Sequence, residues 1–290
     1  MANEIQYSNF SVLANTISAR ISPAFVTQAV MLSLVYTEVF SPNSKVRSFR
    51  KAGSVTAQTL AESTNYTVDG NSELTDSKVD ATAEKKVIST AHSVESLRFA
   101  TSAAQAGRFA QEHATALARL FDADTKTLFS SVSATAGTSG AVLSKDGVLD
   151  ARYTVVSGTK GAGSGRLAGV IDYKGANELS KELTDTGAVA FNSMGLGAVG
   201  IPQANGYTGS LLGIEFYQTD GLPTSGSDDV GCVFDVNLAF AAAVDGNGGF
   251  RTEIHRPEMR TGGHLILDTY TFWKVVEYND AAACQLISAT

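Results

Sequence analysis

The stretch from Val46 to about Ser133 constrains the fold most tightly: a long polar arm of strand-like sequence runs into one very long helix. From Val46 to Ser93, valines and threonines alternate with charged and small residues, and nothing reads as a compact core. The middle, Thr67 to Lys78 (TVDGNSELTDSK), is turn chemistry, and Asp69-Gly70-Asn71 supplies the positive-φ positions that a hairpin reversal needs. The outgoing strand is expected over roughly Val55 to Thr67 and the return strand over roughly Lys78 to His92. A two-stranded ribbon of this length does not bury enough surface to be stable alone. The rest of the chain is too small to cover it, which points to a neighbouring copy of the same protein.

The arm is basic at its root (Lys45, Arg47, Arg50, Lys51) and acidic at its expected tip (Asp69, Glu73, Asp76, with Asp80). Two readings stay open. The charges solvate an exposed hairpin, or the acidic tip lies over a basic patch of the next subunit, where charge fixes register better than it adds affinity. The second reading makes Arg47, Arg50, Lys51, Asp69, Glu73, Asp76 and Lys78 the candidate inter-subunit contacts.

The helix is expected from about Val94 to Val132. Leu97, Ala100, Ala104, Phe109, Leu117, Leu120, Phe121 and Leu128 keep one face apolar. Alanine is abundant and no proline intervenes. Roughly 35 residues at 1.5 Å each make a rod of about 50 Å. Gly107 weakens it locally, and Gly137 and Gly140 end it. Phe109, Leu117 and Phe121 are expected to pack against the tail around Phe272 and Val276.

On the N-terminal side, residues 1 to 22 read as an extended or partly helical arm. Pro23 opens an apolar segment that ends at Ser41-Pro42. On the C-terminal side the pattern is mixed α/β. Helices are expected over Asp146 to Val156, Gly175 to Thr184 and the alanine-rich Asp235 to Val244, and strands over Leu167 to Tyr173 and Leu211 to Gln218. Thr159 to Gly165 and Asn192 to Asn205 read as glycine-rich loops, and the tail has β-like runs around His264 to Tyr278. No fixed-period repeat exists, which sets solenoids and propellers aside.

Length and composition allow one or two domains in 290 residues. A formal charge of −7 argues against a dedicated nucleic-acid reader, though not against a protein that merely encloses nucleic acid. Cys232 and Cys284 lie far apart without metal-ligand spacing, so they read as small buried residues in a reducing compartment. No basic n-region precedes an apolar run, and Ala24 to Val35 is too short and polar to span a bilayer, so a soluble protein without a membrane partner is expected.

Motifs with catalytic meaning are weak. Gly163-Ser164-Gly165-Arg166-Leu167-Ala168 fits G-x-G-x-x-A in form, but a strand is expected after it, where the phosphate mechanism needs a helix N-terminus. His255 and His264 share the tail with Glu258 in no standard metal spacing, and His92 and His113 are isolated. No G-x-S-x-G elbow and no cysteine in a catalytic pattern is present, and Asn65-Tyr66-Thr67 is a sequon without meaning unless secreted. No cofactor, metal site or enzymatic activity is expected.

The order of elements and several local patterns resemble the major capsid proteins of tailed bacteriophages, the Hong Kong 97 capsid fold. Leu60-Ala61-Glu62 followed by KVDATAEKKVISTAHSVE (Lys78 to Glu95) resembles that family's extended loop returning to its spine helix. LAGVIDYKGANELSKEL (Leu167 to Leu183) resembles its strand-then-helix entry to the axial domain, and TGSLLGIEFYQTDGLP (Thr208 to Pro223) the strand that crosses it. The resemblance implies an α+β fold. Its parts would be an N-terminal arm (1–42), an extended β-hairpin loop (43–93), a peripheral domain with the spine helix (94–165), an axial domain (166–244) and peripheral return strands (245–290).

The resemblance also implies a shell subunit that self-assembles into hexamers and pentamers around double-stranded DNA, without reading its sequence. A portal, a decoration protein and, since the arm starts at Met1, a separate scaffolding protein are the implied partners. The implied location is the virion, and the host cytoplasm during assembly. Some members join a loop lysine to a neighbour's asparagine, for which Lys78 and Asn279 are the nearest candidates. An encapsulin-like nanocompartment shell of the same fold is the alternative; a mixed α/β enzyme is a more remote one.

Overall fold

A computed structural model describes residues 4–41, 44–51, 77–93, 103–160, 163–185, 207–246, 249–255 and 264–289. Of the extended or partly helical alternatives for the N-terminal arm, the helical one holds and runs further than expected: α1 spans Glu4–Gln28. Leu13, Ile17, Ile21 and Phe25 recur every fourth residue and are all buried. Pro23 sits inside it and has no N–H to return to the preceding turn. Burial of Ile21 and Phe25 on either side holds the helix through that gap.

Helix α2 (Ala103–Thr127) lies along α1 and ends in a 3-10 turn, Leu128–Ser131. It is shorter at its C-terminal end than expected; residues 94–102, including Leu97 and Ala100, lie outside the described residues. Ala106, Ala110, Ala114 and Ala118 line the buried face and let α1 approach closely. Gly107 has a specific reason. A Cβ there would stand 2.9 Å from the Arg20 guanidinium of α1.

Both helices cover one face of a five-stranded sheet, ordered β1 (Tyr36–Val39), β11 (Phe240–Val244), β13 (His264–Glu277), β12 (Arg251–His255), with β4 (Glu84–Ser93) on the other side of β13. Phe121 meets Trp273 edge-on at 5.6 Å and Phe25 at 5.9 Å. Trp273 Nε1 donates to Asp124 at 2.8 Å. The buried residues of β13 on this face are Leu267, Thr269, Thr271, Trp273 and Val275. The expected partners Phe272 and Val276 therefore fall on the wrong face. Side chains alternate along a strand, so a one-residue error moves the whole set across the sheet.

Strand β11 replaces the helix expected over Asp235 to Val244. Ala241, Ala242 and Ala243 are fully buried between β1 and β13, with both faces covered. Alanine's helix propensity yields there to a site that accepts only small side chains.

The second sheet runs β5 (Thr135–Ala136), β14 (Ala283–Ala289), β10 (Asp228–Asp235), β6 (Leu167–Ile171), β8 (Ile214–Gln218), β7 (Tyr207–Leu211), with β9 (Thr224–Ser225) on β10. Helix α3 (Lys145–Gly158), capped by Ser144, packs on β14 and β10; helix α4 (Tyr173–Asp185) starts where Asp172 accepts the Lys174 and Gly175 amides at 2.9 and 2.8 Å. The expected strand over Leu211 to Gln218 is the tight hairpin β7–β8, turned at Leu212 and Gly213, both at positive φ.

Asp122 and Lys126 join the pieces. Asp122 accepts the Val30 and Met31 amides at 3.2 and 2.9 Å, just beyond α1. Burial pushes its carboxyl up to about 6 against those two bonds and the Lys126 charge. Lys126 is buried and donates to Thr219 at 3.1 Å and to the Asp220 carbonyl, reaching the turn after β8.

Truncating Phe121 to alanine should cost about 3–5 kcal/mol, whereas Phe272→Ala should cost a small fraction of that; denaturant unfolding of both variants checks this. Equal losses would contradict the assigned face.

Candidate subunit-contact surface

The root of the hairpin arm is β2 (Val46–Lys51) paired antiparallel with β3 (Ser77–Thr82). Of the basic residues expected before the outgoing strand, Arg47, Arg50 and Lys51 lie within β2 and Lys45 just before it. The return strand is broken at Ala83, whose amide donates to the Lys45 carbonyl at 2.7 Å, and β4 then leaves the hairpin to pair with β13. The expected outgoing strand, Val55 to Thr67, and the tip acids Asp69, Glu73 and Asp76 lie outside the described residues.

Contrary to the core-less reading, the root has a small core of its own. Phe49 and Ala81 are buried against Ala241, Ala243 and Val276, the sheet face opposite α1 and α2. Phe49 stands between the rings of Tyr36 at 6.1 Å and Tyr278 at 6.3 Å, and the Tyr278 hydroxyl donates to the Arg50 carbonyl at 2.7 Å.

Alternation about Phe49 divides the basic residues into two groups. Arg47 and Lys51 share the inward side with Phe49 and are used within the chain. Arg47 pairs with Glu38, which also accepts the Tyr36 hydroxyl at 2.5 Å, and Lys51 donates to Asn279. The Arg47 bond first, then that of Tyr36, holds the Glu38 carboxyl below its ordinary value, while donation to Glu38 raises the Tyr36 hydroxyl. Tyr36, Glu38, Arg47 and Phe49, with Asn237 and Tyr278, line a cleft of about 570 Å³.

Arg50 and Lys78 point the other way, directly opposite each other across the ladder and exposed. Asp80 belongs to this outward face and not to the tip: it accepts from Ser48 at 2.5 Å and pairs with Lys78 at 3.3 Å, and these two contacts lower its pKa. No side-chain partner of Arg50 occurs among the described residues. Two like charges opposite each other in a ladder are unfavourable unless an anion joins them; Asp80 answers Lys78, which leaves Arg50 without one among the described residues. Lys78 and Asn279 are not brought together within the chain, since Lys51 holds Asn279.

The other motifs are occupied internally. The Ser164 amide donates to both Asp235 oxygens, at 3.1 and 2.9 Å, so the glycine loop before β6 already holds a carboxylate of its own chain. Cys232 and Cys284 are buried on paired strands, but the register sets Cys232 against Gln285 and Cys284 against Val233, on opposite faces. Burial raises both thiols, Cys284 to about 11. His255 pairs with Asp268 at 3.5 Å; Glu258 and the His264 side chain are outside the described residues. His92 and His113, isolated in sequence, meet at the Thr90 hydroxyl. The strand spacing of Thr90 and His92 was the only available signal.

No protein-family model and no curated protein matches the chain. Solved structures match it almost end to end. The capsid of Ralstonia phage GP4 aligns over 91% of this chain and 92% of its own, with TM-score 0.69 and 10% identity. The capsid of a native GTA particle covers 90% of each chain, at TM-score 0.66 and 13% identity. The capsid of cyanophage P-SCSP1u covers 91% and 89%, at TM-score 0.61 and 12% identity. The chain has the mixed α+β fold of these capsid proteins.

Phe49→Ala should speed proteolytic cleavage within residues 44–51, because it removes the root's core. Arg50→Ala should leave cleavage and the melting temperature of the isolated subunit unchanged, as an exposed charge contributes within about 0.5 kcal/mol. Destabilisation by Arg50→Ala would show that the outward face is already used within the chain.

Proposed function

We infer that this chain is the major capsid protein of a tailed phage, a structural subunit and not an enzyme. It self-assembles into hexamers and pentamers of an icosahedral shell that encloses double-stranded DNA. The correspondence with phage capsid proteins over about nine-tenths of both chains carries this reading. The named structures are capsids of phages and of a GTA particle, which favours a phage head over a nanocompartment shell. In this reading the sheet under α1 and α2 is the peripheral part and the second sheet the axial part, with residues 278–282 leading from β13 of the one to β14 of the other. A net charge of −7 suits an inner wall that does not grip packed DNA. Scaffolding, portal and decoration proteins are the partners such a shell would have, with assembly in the host cytoplasm.

The assembly contact is assigned to the arm. Arg50 and Lys78, left outward by alternation, receive carboxylates of a neighbouring copy, and the acids Asp69, Glu73 and Asp76 are the candidates to supply them. Arg47 and Lys51 hold the root so that this face is presented in a fixed direction.

Electron microscopy of the purified chain, produced with the scaffolding protein of its own genome, tests both statements. Closed shells or capsomers are expected. A chain that stays monomeric overturns the capsid reading. Changing Asp69, Glu73 and Asp76 to lysine should leave the subunit's melting temperature unchanged. It should slow assembly at low salt, with partial recovery as the Debye length falls to about 8 Å. Normal shells at normal rates from that variant would remove the charge contact while leaving the capsid reading in place.

A further inference from the structure

A buried polar chain crosses the first sheet and has no part in the capsid reading. The Thr252 amide donates to Ser18 Oγ at 2.9 Å, joining β12 to α1. Thr252 and Thr269 hydroxyls are 3.1 Å apart, and Thr269 Oγ1 is 2.7 Å from His113 Nδ1. His113 Nε2 is 3.0 Å from Thr90 Oγ1, which is 2.9 Å from His92 Nε2. His113 is 2% exposed and Thr269 fully buried. One imidazole therefore fastens α2 to both β13 and β4.

The attachment matters most for β4. Among the described residues this strand pairs only with β13, so it is a sheet edge. Its even-numbered side chains hold it to α2: Lys86 pairs with Asp124 at 2.8 Å, Thr90 with His113, and His92 lies on Phe109 at 4.6 Å.

A neutral imidazole donates from one nitrogen and accepts at the other, so one threonine accepts and the other donates. When both nitrogens carry protons, both hydroxyls must accept. Thr269 then turns its proton to Thr252, and Thr90 to His92 or to the Leu267 carbonyl at 3.5 Å. The new charge has no carboxylate in contact. On α2, Glu112 is exposed and pairs with Arg108 at 2.9 Å. From β4 the facing group is His92; from β13, Asp268 lies on the opposite face against His255. α1 offers Arg20, beside Gly107, and β12 carries Arg251 and Glu253 on the far side of the sheet from Thr252. Burial first, then the His92 charge, lowers the proton affinity of His113, outweighing Glu112 and Asp268.

We propose that His113 is an acid-sensitive latch: neutral, it holds β4 against α2, and protonated, it lets the edge strand that carries the hairpin arm open to water. A folded-state affinity below the unfolded value means that the stabilisation is complete above about pH 6.5 and is lost as pH falls below it. The latch belongs to the single subunit and does not depend on the shell.

Hydrogen exchange on the isolated chain at about pH 7.5 and about pH 5, corrected for intrinsic rates, tests it. Protection of residues 84–92 should fall at acid pH relative to residues 106–121, the direction that a lowered proton affinity of His113 in the folded chain requires. His113→Gln, which keeps hydrogen-bonding groups without a titrating charge, should abolish that step, and His92→Gln should keep it. The proposal is overturned if the parent shows no step, if His113→Gln retains it, or if only His92→Gln removes it. Should His113→Gln not fold, the ring titration of His113 followed by NMR in the parent decides. Protonation must coincide with opening of β4, and a ring that titrates without it refutes the latch.

Discussion

Strand β13 organises the first half of the molecule because both its edges and both its faces are used. Its amides pair with β11 and β12 on one side and with β4 on the other. Its odd-numbered face, centred on Trp273, lies under α1 and α2, and Val276 on the even-numbered face helps to seat Phe49 at the arm's root. The helices and the arm are thus held by one strand from opposite directions. A slip by one residue would exchange Trp273 for Phe272 and unseat both together.

The same alternation sorts the basic residues at the arm's root. Composition alone makes Arg47, Arg50, Lys51 and Lys78 equivalent, and as a cluster they suggest a single patch. Phe49 breaks that equivalence. By burying itself it turns Arg47 and Lys51 toward Glu38 and Asn279, and leaves Arg50 facing Lys78 on the outside. Residues used for holding and residues left for a neighbour are adjacent in sequence and separated by the pleat.

Much of this fold was legible in the sequence where one signal dominated. The apolar stripe of α2, the strand-to-helix step at Leu167 and the β-rich tail follow from periodicity. Other readings missed for identifiable reasons. The Leu13, Ile17, Ile21, Phe25 stripe was masked by polar residues between its members and by Pro23. The alanines of β11 follow the space available between two covered faces, not propensity. Ala83 shows nothing in sequence of the break that sends β4 to another sheet. At the candidate site the residue list was legible, but the division of labour within it was not, since it depends on which neighbour of Phe49 is buried. The tip acids stay a matter of sequence, lying outside the described residues.

The division of labour at the arm's root requires that its outward face be covered by another copy while its inward face is satisfied within the chain. Hydrogen exchange of residues 46–51 and 77–82, compared between isolated subunit and assembled particle, measures this directly. Measurable protection of the root in the isolated subunit, with a marked gain on assembly and little change over residues 106–121, is the predicted result. Equal protection of the root in subunit and particle would contradict it.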